Sequence, residues 1–407
     1  MILKEIDNET FDEYSNRNKY SNFIQSSFNK VSTENQNMET YLLGLYDDDK
    51  LVGATYVTSR YTLRFFKYLY MPRGFLLDNY NKELVEHMSR CLKEFANNKN
   101  AIFYRIDPLM VYKEYKDNDV IINDDVKDIY ELLCNSNYKH NGFKVGYHDE
   151  QPRYQYVLDI KDKEYKDVFK RFKQNTRNKV NAAIRFKTSV RIGSEKDIKE
   201  FFDILEETSN RQNFNNRTYN YYLQVYKEYS KQNKIRLLFA DVDLKGYNDY
   251  LLNEITKYKD KIVKMKARNN INENSLKELE NNLESLHKHL KENEIYMHKY
   301  NDKVVSATSM FVIHKNEVCY FHSGGYDDVM ALSGQYLLQA YMIEYACNNK
   351  IDKYNFMGIS GEENDGVYIF KKGFNGYMEE LIGQFDYICS SKYNLYKIMY
   401  KLKEILR

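Results

Sequence analysis

The 407-residue sequence predicts a mixed α/β protein of two units, with a helical arm inserted into the second unit. Three observations predict this fold. The chain exceeds the ~250–300 residues at which single cores stop growing, strand and helix patterns alternate twice, and a heptad pattern interrupts the second alternation. Apolar residues make up 43% of the chain and charged residues 29%, a composition that can bury cores and excludes wholesale disorder.

Charge and cysteine content narrow the class of protein. The 61 Lys and Arg residues nearly balance the 59 Asp and Glu residues, so an anion site must come from local clustering. The five cysteines are far apart in the sequence and form no CxxC pair, which indicates neither a disulfide framework nor a zinc site. No signal peptide is recognised, and no stretch approaches the ~20 apolar residues that cross a bilayer. We therefore expect a cytoplasmic protein.

The first unit is predicted over residues 1–152 and opens with a β-hairpin. Two β-rich runs within 41–58 flank a polar turn at 47–50. Apolar residues of 81–97 recur at spacings of three and four, which is typical of a helix packed on a sheet. Two further strands are predicted, at 65–69 and 101–106.

The second unit repeats this order on either side of the arm, over 153–245 and 299–390. The boundary lies near 152 because the segment 146–153 is polar and contains one of the three prolines. Residues 391–407 are predicted to form a final helix. The elements of the second unit are three strands, a helix and a fourth strand, at 235–242, 304–314, 318–323, 334–348 and 354–357.

Residues 246–298 are predicted to form the arm. Apolar residues step by 4, 3, 4, 3 from Leu251 to Met265 and by 3, 4, 3, 4 from Leu276 to Leu290, so both halves carry a heptad seam. The polar run 269–274 predicts a reversal between them, and hence an antiparallel helical coiled-coil arm about 30 Å long. A structural spur and a clamp for a long partner such as RNA fit this pattern equally.

Residues 168–194 carry the strongest local charge, with eight Lys and Arg residues and no acidic residue. Apolar residues at helical spacing lie beneath these charges, so one face of the predicted helix would pack inward and the other would present cations suited to phosphates. A nucleic-acid contact through Lys173, Arg177 and Lys179 is one interpretation. A solvated helix face is the alternative.

Two other segments could carry chemistry. Arg217 lies among tyrosines, a mixture that suits bidentate phosphate binding, although ordinary packing is the alternative in a chain with 40 tyrosines. Lys371 follows Phe370 and could stabilise negative charge that develops on a substrate carbonyl, whereas the alternative is a surface cation at a strand end. The sequence contains no GxSxG, HExxH, P-loop or CxxC motif, so no metal site is expected.

Several blocks in a shared order resemble the Fem (FemABX) family, peptidyltransferases that add amino acids from aminoacyl-tRNA to the side-chain amine of peptidoglycan precursors. The resemblance spans nearly the whole chain. It implies tandem GNAT-like acyltransferase domains and, in the glycyl-transferring branch, a helical hairpin arm inside the second domain. The blocks are Phe65–Gly74 with Asp78, Arg105–Pro108, Asn141–Phe143, Lys173–Ala183, Gly358–Gly361 and Phe370–Phe374.

The resemblance also implies roles for residues. By its match to the C-terminal motif, Lys371 is the catalytic group that stabilises the oxyanion, and Phe370 shapes its pocket. The substrate-binding candidates are Lys30, Arg217 with Tyr221 for the precursor's phosphates, and Asp107 as an acidic position of the site.

The function expected from the resemblance is transfer of an amino acid, glycine first, from aminoacyl-tRNA to lipid II or UDP-MurNAc-pentapeptide in interpeptide bridge formation. In that case Lys173, Arg177 and Lys179 become candidates for tRNA contact. No cofactor is expected besides the aminoacyl-tRNA co-substrate, while peripheral membrane contact and a homodimer are both open. The alternatives are a coenzyme A-dependent N-acyltransferase, whose R/Q-x-x-G-x-G/A loop is not found, and a non-catalytic coiled-coil interaction protein.

Overall fold

The strands of the chain fall into two separate sheets. The computed structural model describes residues 1–34, 38–117, 119–267 and 272–405. The strands of these residues are β1 (Ile2–Glu5), β2 (Thr40–Asp47), β3 (Lys50–Thr62), β4 (Phe66–Arg73), β5 (Leu76–Leu77), β6 (Phe103–Pro108), β7 (Val111–Lys116), β8 (Asp119–Ile122), β9 (Tyr138–His140), β10 (Tyr154–Asp159), β11 (Thr188–Ile192), β12 (Ile235–Asp243), β13 (Lys303–His314), β14 (Glu317–Gly324), β15 (Lys353–Ile359), β16 (Tyr377–Leu381) and β17 (Phe385–Ile388).

Helices cover the faces of both sheets. Their first turns are commonly capped by a side chain, as where Asn81 Oδ1 accepts a hydrogen bond from Leu84 N. The helices are α1 (Asn8–Arg17), α2 (Ser27–Glu34), α3 (Lys82–Asn98), α4 (Asp124–Asn135), α5 (Tyr165–Arg171), α6 (Gln174–Arg185), α7 (Ile198–Gln212), α8 (Tyr219–Ser230), α9 (Leu244–Lys266), α10 (Glu273–Tyr300), α11 (Gly334–Asn348), α12 (Gly366–Lys372) and α13 (Lys392–Ile405).

The first sheet has the order β1-β2-β3-β4-β6-β17-β9, with β5 beside β3. The strands β4 and β6 are parallel, and the hairpin predicted at 41–58 is present as β2 and β3. Helix α3 packs on the sheet because Val85, Met88 and Leu92 recur at spacings of three and four and are fully buried. The predicted alternation of strands and helices is therefore confirmed in the first unit.

The second sheet has the order β11-β12-β13-β14-β15-β10-β16-β7-β8, with β14 and β15 parallel. Alternate side chains of β12 enter two different cores because successive residues of a strand point to opposite faces. Leu238 is buried in the core that contains residues of α11, and Leu237 is buried in the core that contains residues of α7 and α8. Helices thus cover both faces of this sheet.

The two sheets exchange strands, so they do not divide the chain at one residue. The strands β7 and β8 precede residue 152 yet extend the second sheet, whereas β17 lies between β6 and β9 of the first sheet. The domain bounds 1–152, 153–245 with 299–390, and 391–407 therefore remain predictions.

The arm consists of α9 and α10, which run antiparallel between β12 and β13. Near its base, Asn293 Nδ2 donates a hydrogen bond to the carbonyl oxygen of Leu244 at 2.9 Å. Further out, Lys266 Nζ lies 2.8 Å from Glu280 Oε1. The helices extend slightly beyond the predicted 246–298, and part of the predicted reversal lies outside the described residues, which omit 268–271.

The basic segment differs from the single helix predicted within residues 168–194. It forms two helices, α5 and α6, with a break at Phe172 and Lys173. Phe172 is fully buried against Phe374, and Lys173 N donates to the carbonyl oxygen of Gly373 at 2.9 Å. The break occurs because this burial and this hydrogen bond to the end of α12 replace a helical turn, which periodicity alone does not reveal.

Candidate active site

A cleft opens where the parallel strands β14 and β15 separate. The two strands pair from Glu317–Lys353 to Cys319–Asn355 and then diverge. The space between them has a volume of about 980 Å³, and the first turns of α11 together with α12 complete its walls. Cleft formation at the carboxyl ends of parallel strands is typical of ligand sites in α/β sheets.

The departure of β15 from the ladder has a local cause. The side-chain oxygen of Asn355 accepts a hydrogen bond from Met357 N at 2.7 Å, in place of a neighbouring strand. Met357 has a φ of +62°, which is costly for a residue with a side chain. Gly358 follows because a Cβ atom there would lie 2.3 Å from Cγ of Pro152.

Lys371 lies at the wall of this cleft, in the last turn of α12. Asp365 Oδ1 caps that helix by accepting from Val367 N at 3.0 Å, which fixes the direction of α12. Lys371 Nζ donates to the carbonyl oxygens of Gly358 at 2.7 Å and Met357 at 3.4 Å. The Lys371 residue is only 5% exposed, so it is not the surface cation that sequence reasoning kept as the alternative.

Burial changes the chemistry of this amine. Removal from water lowers the pKa of Lys371 to about 7, although the charge of Asp365 partly opposes the shift. Near neutral pH the group is therefore present both as an ammonium and as a free amine. The ammonium has three donors and only two carbonyl acceptors here, so it can also donate to a substrate oxygen.

Phe370 and Lys371, the two predicted catalytic residues, line the cleft together. The ring of Phe370 lies 5.0 Å from that of Tyr336 and 5.5 Å from that of Phe374, which gives this side of the cleft an aromatic wall. The ring of Tyr320 lies 6.0 Å from Lys371 Nζ. An apolar wall of this kind keeps the amine desolvated and so maintains its low pKa.

Sequence reasoning missed a polar network in the same cleft. Gln335 Nε2 donates to Ser309 Oγ at 2.8 Å and to the hydroxyl of Tyr320, which in turn donates to Ser323 Oγ. Gln335 and Ser323 are linked only through the hydroxyl of Tyr320, and these hydrogen bonds depend on packing that the sequence does not reveal. The network supplies hydroxyl and amide groups that could orient a substrate.

Arg217 and Tyr221 lie next to the cleft at the start of α8. The guanidinium of Arg217 is exposed and lies 5.7 Å from the ring of Tyr221. That ring in turn lies 6.3 Å from the ring of His322, which lines the cleft. Burial and the charge of Arg217 lower the pKa of His322 to about 3, so this imidazole is neutral.

The other two substrate-binding candidates do not line the cleft themselves. Lys30 is half-buried in α2, a helix that packs on α8 through Phe28 and Tyr229. Asp107 is buried at the end of β6, where it accepts hydrogen bonds from Tyr70 Oη and from Arg73 N. Burial raises the pKa of Asp107.

Asp107 is nevertheless linked to the cleft through Arg73. The side chain of Arg73 lines the cleft and donates to the carbonyl oxygen of Pro152 at 2.8 Å. Arg211 is a second cleft residue with a cationic side chain. Neither arginine was predicted, although Arg73 lies inside the Phe65–Gly74 block, because its position depends on the pairing of β4 with β6.

The three candidates for tRNA contact differ in their surroundings. Lys173 is exposed immediately before α6, and Lys179 is half-buried. Arg177 donates to the carbonyl oxygens of Lys170, at 2.8 Å, and Phe172, so its guanidinium caps the end of α5. Arg177 therefore has a structural role at the break between the two helices.

Two classes of feature were not found in the described part of the chain. No helix there is long and apolar enough to cross a membrane. No group of three or more His, Cys, Asp and Glu side chains among the same residues could hold a metal ion.

Comparison with known proteins identifies the family to which this chain with two sheets belongs. A model of the FemAB family matches residues 6–401, so the chain belongs to this family and is an aminoacyltransferase. The predicted family and mixed α/β fold class are thereby confirmed.

Individual relatives are similar to the chain over nearly its full length. "Aminoacyltransferase FemA" of Staphylococcus epidermidis is 29% identical, with 97% of this chain and 98% of the relative covered. The protein of the same name from Staphylococcus aureus is 27% identical, with 97% of each chain covered. The crystal structure of FemX shares the fold, with a TM-score of 0.73 at 20% identity over 98% of this chain and 99% of FemX.

Proposed function

We propose that the chain transfers an aminoacyl group from aminoacyl-tRNA to the side-chain amine of a peptidoglycan precursor, as a step in building an interpeptide bridge. The observation that carries the proposal is the buried Lys371, which faces the cleft between β14 and β15 with its pKa lowered to about 7. Membership of the FemAB family and the similarity to FemA proteins support it.

The proposed reaction needs no nucleotide hydrolysis because the tRNA ester is already activated. The acceptor amine attacks the ester carbonyl, a C–N bond forms, and the carbonyl oxygen becomes an oxyanion. The C–O bond to the ribose then breaks, and one amine proton ends on the released ribose hydroxyl. Lys371, as an ammonium, donates to the oxyanion, and Phe370 and Tyr320 exclude water from it.

Cationic residues near the cleft are the proposed contacts for the phosphates of the precursor. Arg73 and Arg211 line the cleft, and Arg217 with Tyr221 lies beside it. Guanidinium groups suit phosphates because they can donate two parallel hydrogen bonds. Lys30 and Asp107 do not line the cleft, so we propose that Lys30 contacts an extended part of the precursor and that Asp107 positions Arg73.

Glycine is the proposed amino acid, because an arm such as that of α9 and α10 is expected in the glycyl-transferring branch. The acceptor is lipid II or UDP-MurNAc-pentapeptide. The tRNA is proposed to contact the basic segment, where Lys173 is exposed and Lys179 is half-buried, with aminoacyl-tRNA as the co-substrate and no further cofactor.

A substrate panel tests the proposal. The purified chain is offered tRNAs charged with labelled glycine, alanine or serine, each with lipid II or with UDP-MurNAc-pentapeptide, and label on the acceptor is measured. We expect transfer from glycyl-tRNA to one of the two acceptors. Acetyl-coenzyme A is tested in parallel, and acetyl transfer without aminoacyl transfer would contradict the proposal.

A further inference from the structure

The C-terminal helix α13 has apolar side chains on two opposite faces. On its inner face, Tyr393 and Tyr396 are buried against the first sheet. On its outer face, Leu395, Ile398 and Leu402 follow at positions i, i+3 and i+7 and are 54%, 59% and 54% exposed. A surface helix ordinarily has polar residues opposite its buried face. This stripe is apolar instead, and its exposure shows that no other described part of the chain covers it.

A second element exposes apolar side chains beside α13. The loop between β3 and β4 presents Phe65, which is 78% exposed, and Tyr61 at the end of β3 is 65% exposed. Both line a shallow cavity of about 560 Å³ together with Leu395. Loop and helix therefore form one surface, which we name the apolar patch: Tyr61, Phe65, Leu395, Ile398 and Leu402.

The loop conformation is unusual for the residues that form it. Leu63 and Arg64 have φ angles of +48° and +66°, in the left-handed region that favours glycine and asparagine. A loop that served only to reverse the chain would be expected to have glycine or asparagine at these two positions. The chain instead has an apolar residue and a cation there, immediately before the exposed Phe65.

Cations border the apolar patch. Helix α13 contains four lysines against one glutamate. At the edge of the cavity Lys67 is paired with Glu39 at 2.9 Å, and Lys99 lies over the ring of Tyr41. The exposed cations next to the patch are Arg64, Lys392, Lys401 and Lys403.

We propose that the apolar patch inserts into the interface of a lipid bilayer that contains anionic phospholipids. Apolar side chains would enter the boundary between headgroups and acyl chains, and the bordering lysines would lie at the level of the phosphates. The aromatic rings of Tyr61 and Phe65 suit this boundary. A second copy of the chain fits the patch less well, because a symmetric contact would bring the same lysines face to face. The inference does not rest on the proposed function.

Vesicle sedimentation tests the apolar contribution. The full chain is mixed, without substrates, with vesicles of phosphatidylcholine containing about 30% phosphatidylglycerol, because anionic lipid attracts basic segments. We expect the variant Leu395→Gln/Ile398→Gln/Leu402→Gln to bind at least tenfold more weakly than the parent. Its control is Leu252→Gln/Val263→Gln/Ile295→Gln on the arm, where the three residues are 46%, 67% and 68% exposed and binding should stay within about twofold.

The same assay tests the cations. Each basic residue near an anionic surface strengthens binding by about fivefold, so the variant Lys392→Gln/Lys401→Gln/Lys403→Gln should bind about 100-fold more weakly. The control Lys259→Gln/Lys264→Gln/Lys291→Gln removes three exposed lysines of the arm and should change little. The difference should shrink as salt screens the charges.

Two results would overturn the inference. One is equal vesicle binding by the parent and both patch variants. The other is a dimer of the parent in sedimentation without vesicles that becomes a monomer in the Leu395→Gln/Ile398→Gln/Leu402→Gln variant, which would assign the patch to a second copy. Because neither assay includes tRNA or acceptor, failure here is distinct from failure of the proposed transfer reaction.

Discussion

Among the described residues, each of the two sheets contains one pair of parallel strands, and the two pairs end differently. The strands β4 and β6 stay paired from Leu69–Tyr104 to Arg73–Pro108. The strands β14 and β15 separate after Cys319 and Asn355, and the cleft lies between their free ends.

The separation of the strand ends is what distinguishes the pair that forms the cleft from the pair that does not. At β4 and β6, the closed pair, the polar group at the strand end is Asp107. Its carboxylate is buried and accepts hydrogen bonds from Tyr70 Oη and Arg73 N, so it is not available to a ligand. At β14 and β15, the open pair, Met357 and Gly358 lie beyond the pairing with β14, and their carbonyl oxygens accept hydrogen bonds from Lys371 Nζ. The strand separation therefore creates both the cavity and the polar anchor of its amine.

The largest expected effect comes from the open pair. In Lys371→Met, transfer should fall about 100- to 1,000-fold, because loss of one oxyanion donor costs that much in other acyl transfers. The assay is aminoacyl transfer under single-turnover conditions. The neighbouring exposed Lys372 provides the control Lys372→Met, which should retain nearly full activity. Equal activity of the two variants would remove the catalytic assignment.

The next largest effect is expected when a side-chain atom is added at Gly358, beside the open pair. In Gly358→Ala the new Cβ would meet Pro152, so we expect the free energy of unfolding to fall by about 3 kcal/mol and transfer to weaken as the carbonyl anchoring Lys371 moves. Urea unfolding measures the stability. The control is Gly366→Ala, where a Cβ meets nothing within 4 Å. Similar stability of both variants would show that the contact with Pro152 relaxes freely.

A substitution at the closed pair should lower the free energy of unfolding more than it lowers the rate of transfer. In Asp107→Asn the hydrogen bonds from Tyr70 and Arg73 lose a charged acceptor, and we expect the free energy of unfolding to fall by about 2 kcal/mol. Transfer per folded molecule should fall far less than in Lys371→Met. A loss of transfer as large as that variant's, with unchanged stability, would place Asp107 in contact with substrate.

The smallest effect is a pH dependence. The pKa of Lys371 is about 7 in the folded chain, below the value of about 10.4 when unfolded, so between these values the unfolded state binds more protons and stability rises with pH. From pH 8 to 9 this group should add about 1 kcal/mol to the free energy of unfolding. Lys371→Met should lack that increment in parallel urea titrations. Identical slopes would indicate that Lys371 is solvated.

The elements with a strong local pattern could be predicted from the sequence. The helix at 334–348 and the strands at 235–242, 304–314 and 318–323 are present within one residue of their predicted ends. Lys371 could be named by resemblance, but its burial could not, because burial depends on how β15 leaves the ladder. Arg73 was missed for a similar reason, since its position is set by Asp107 across a strand pair.

The exchange of strands between the sheets has a consequence for synthesis on the ribosome. The first sheet needs β17, at Phe385–Ile388, to join β6 to β9, so it stays incomplete until residue 388 has been translated. Fragments cut near residue 152 would each carry strands that belong to the other. A nascent chain of this protein therefore exposes an unfinished sheet edge until β17 emerges, which favours assistance by a chaperone.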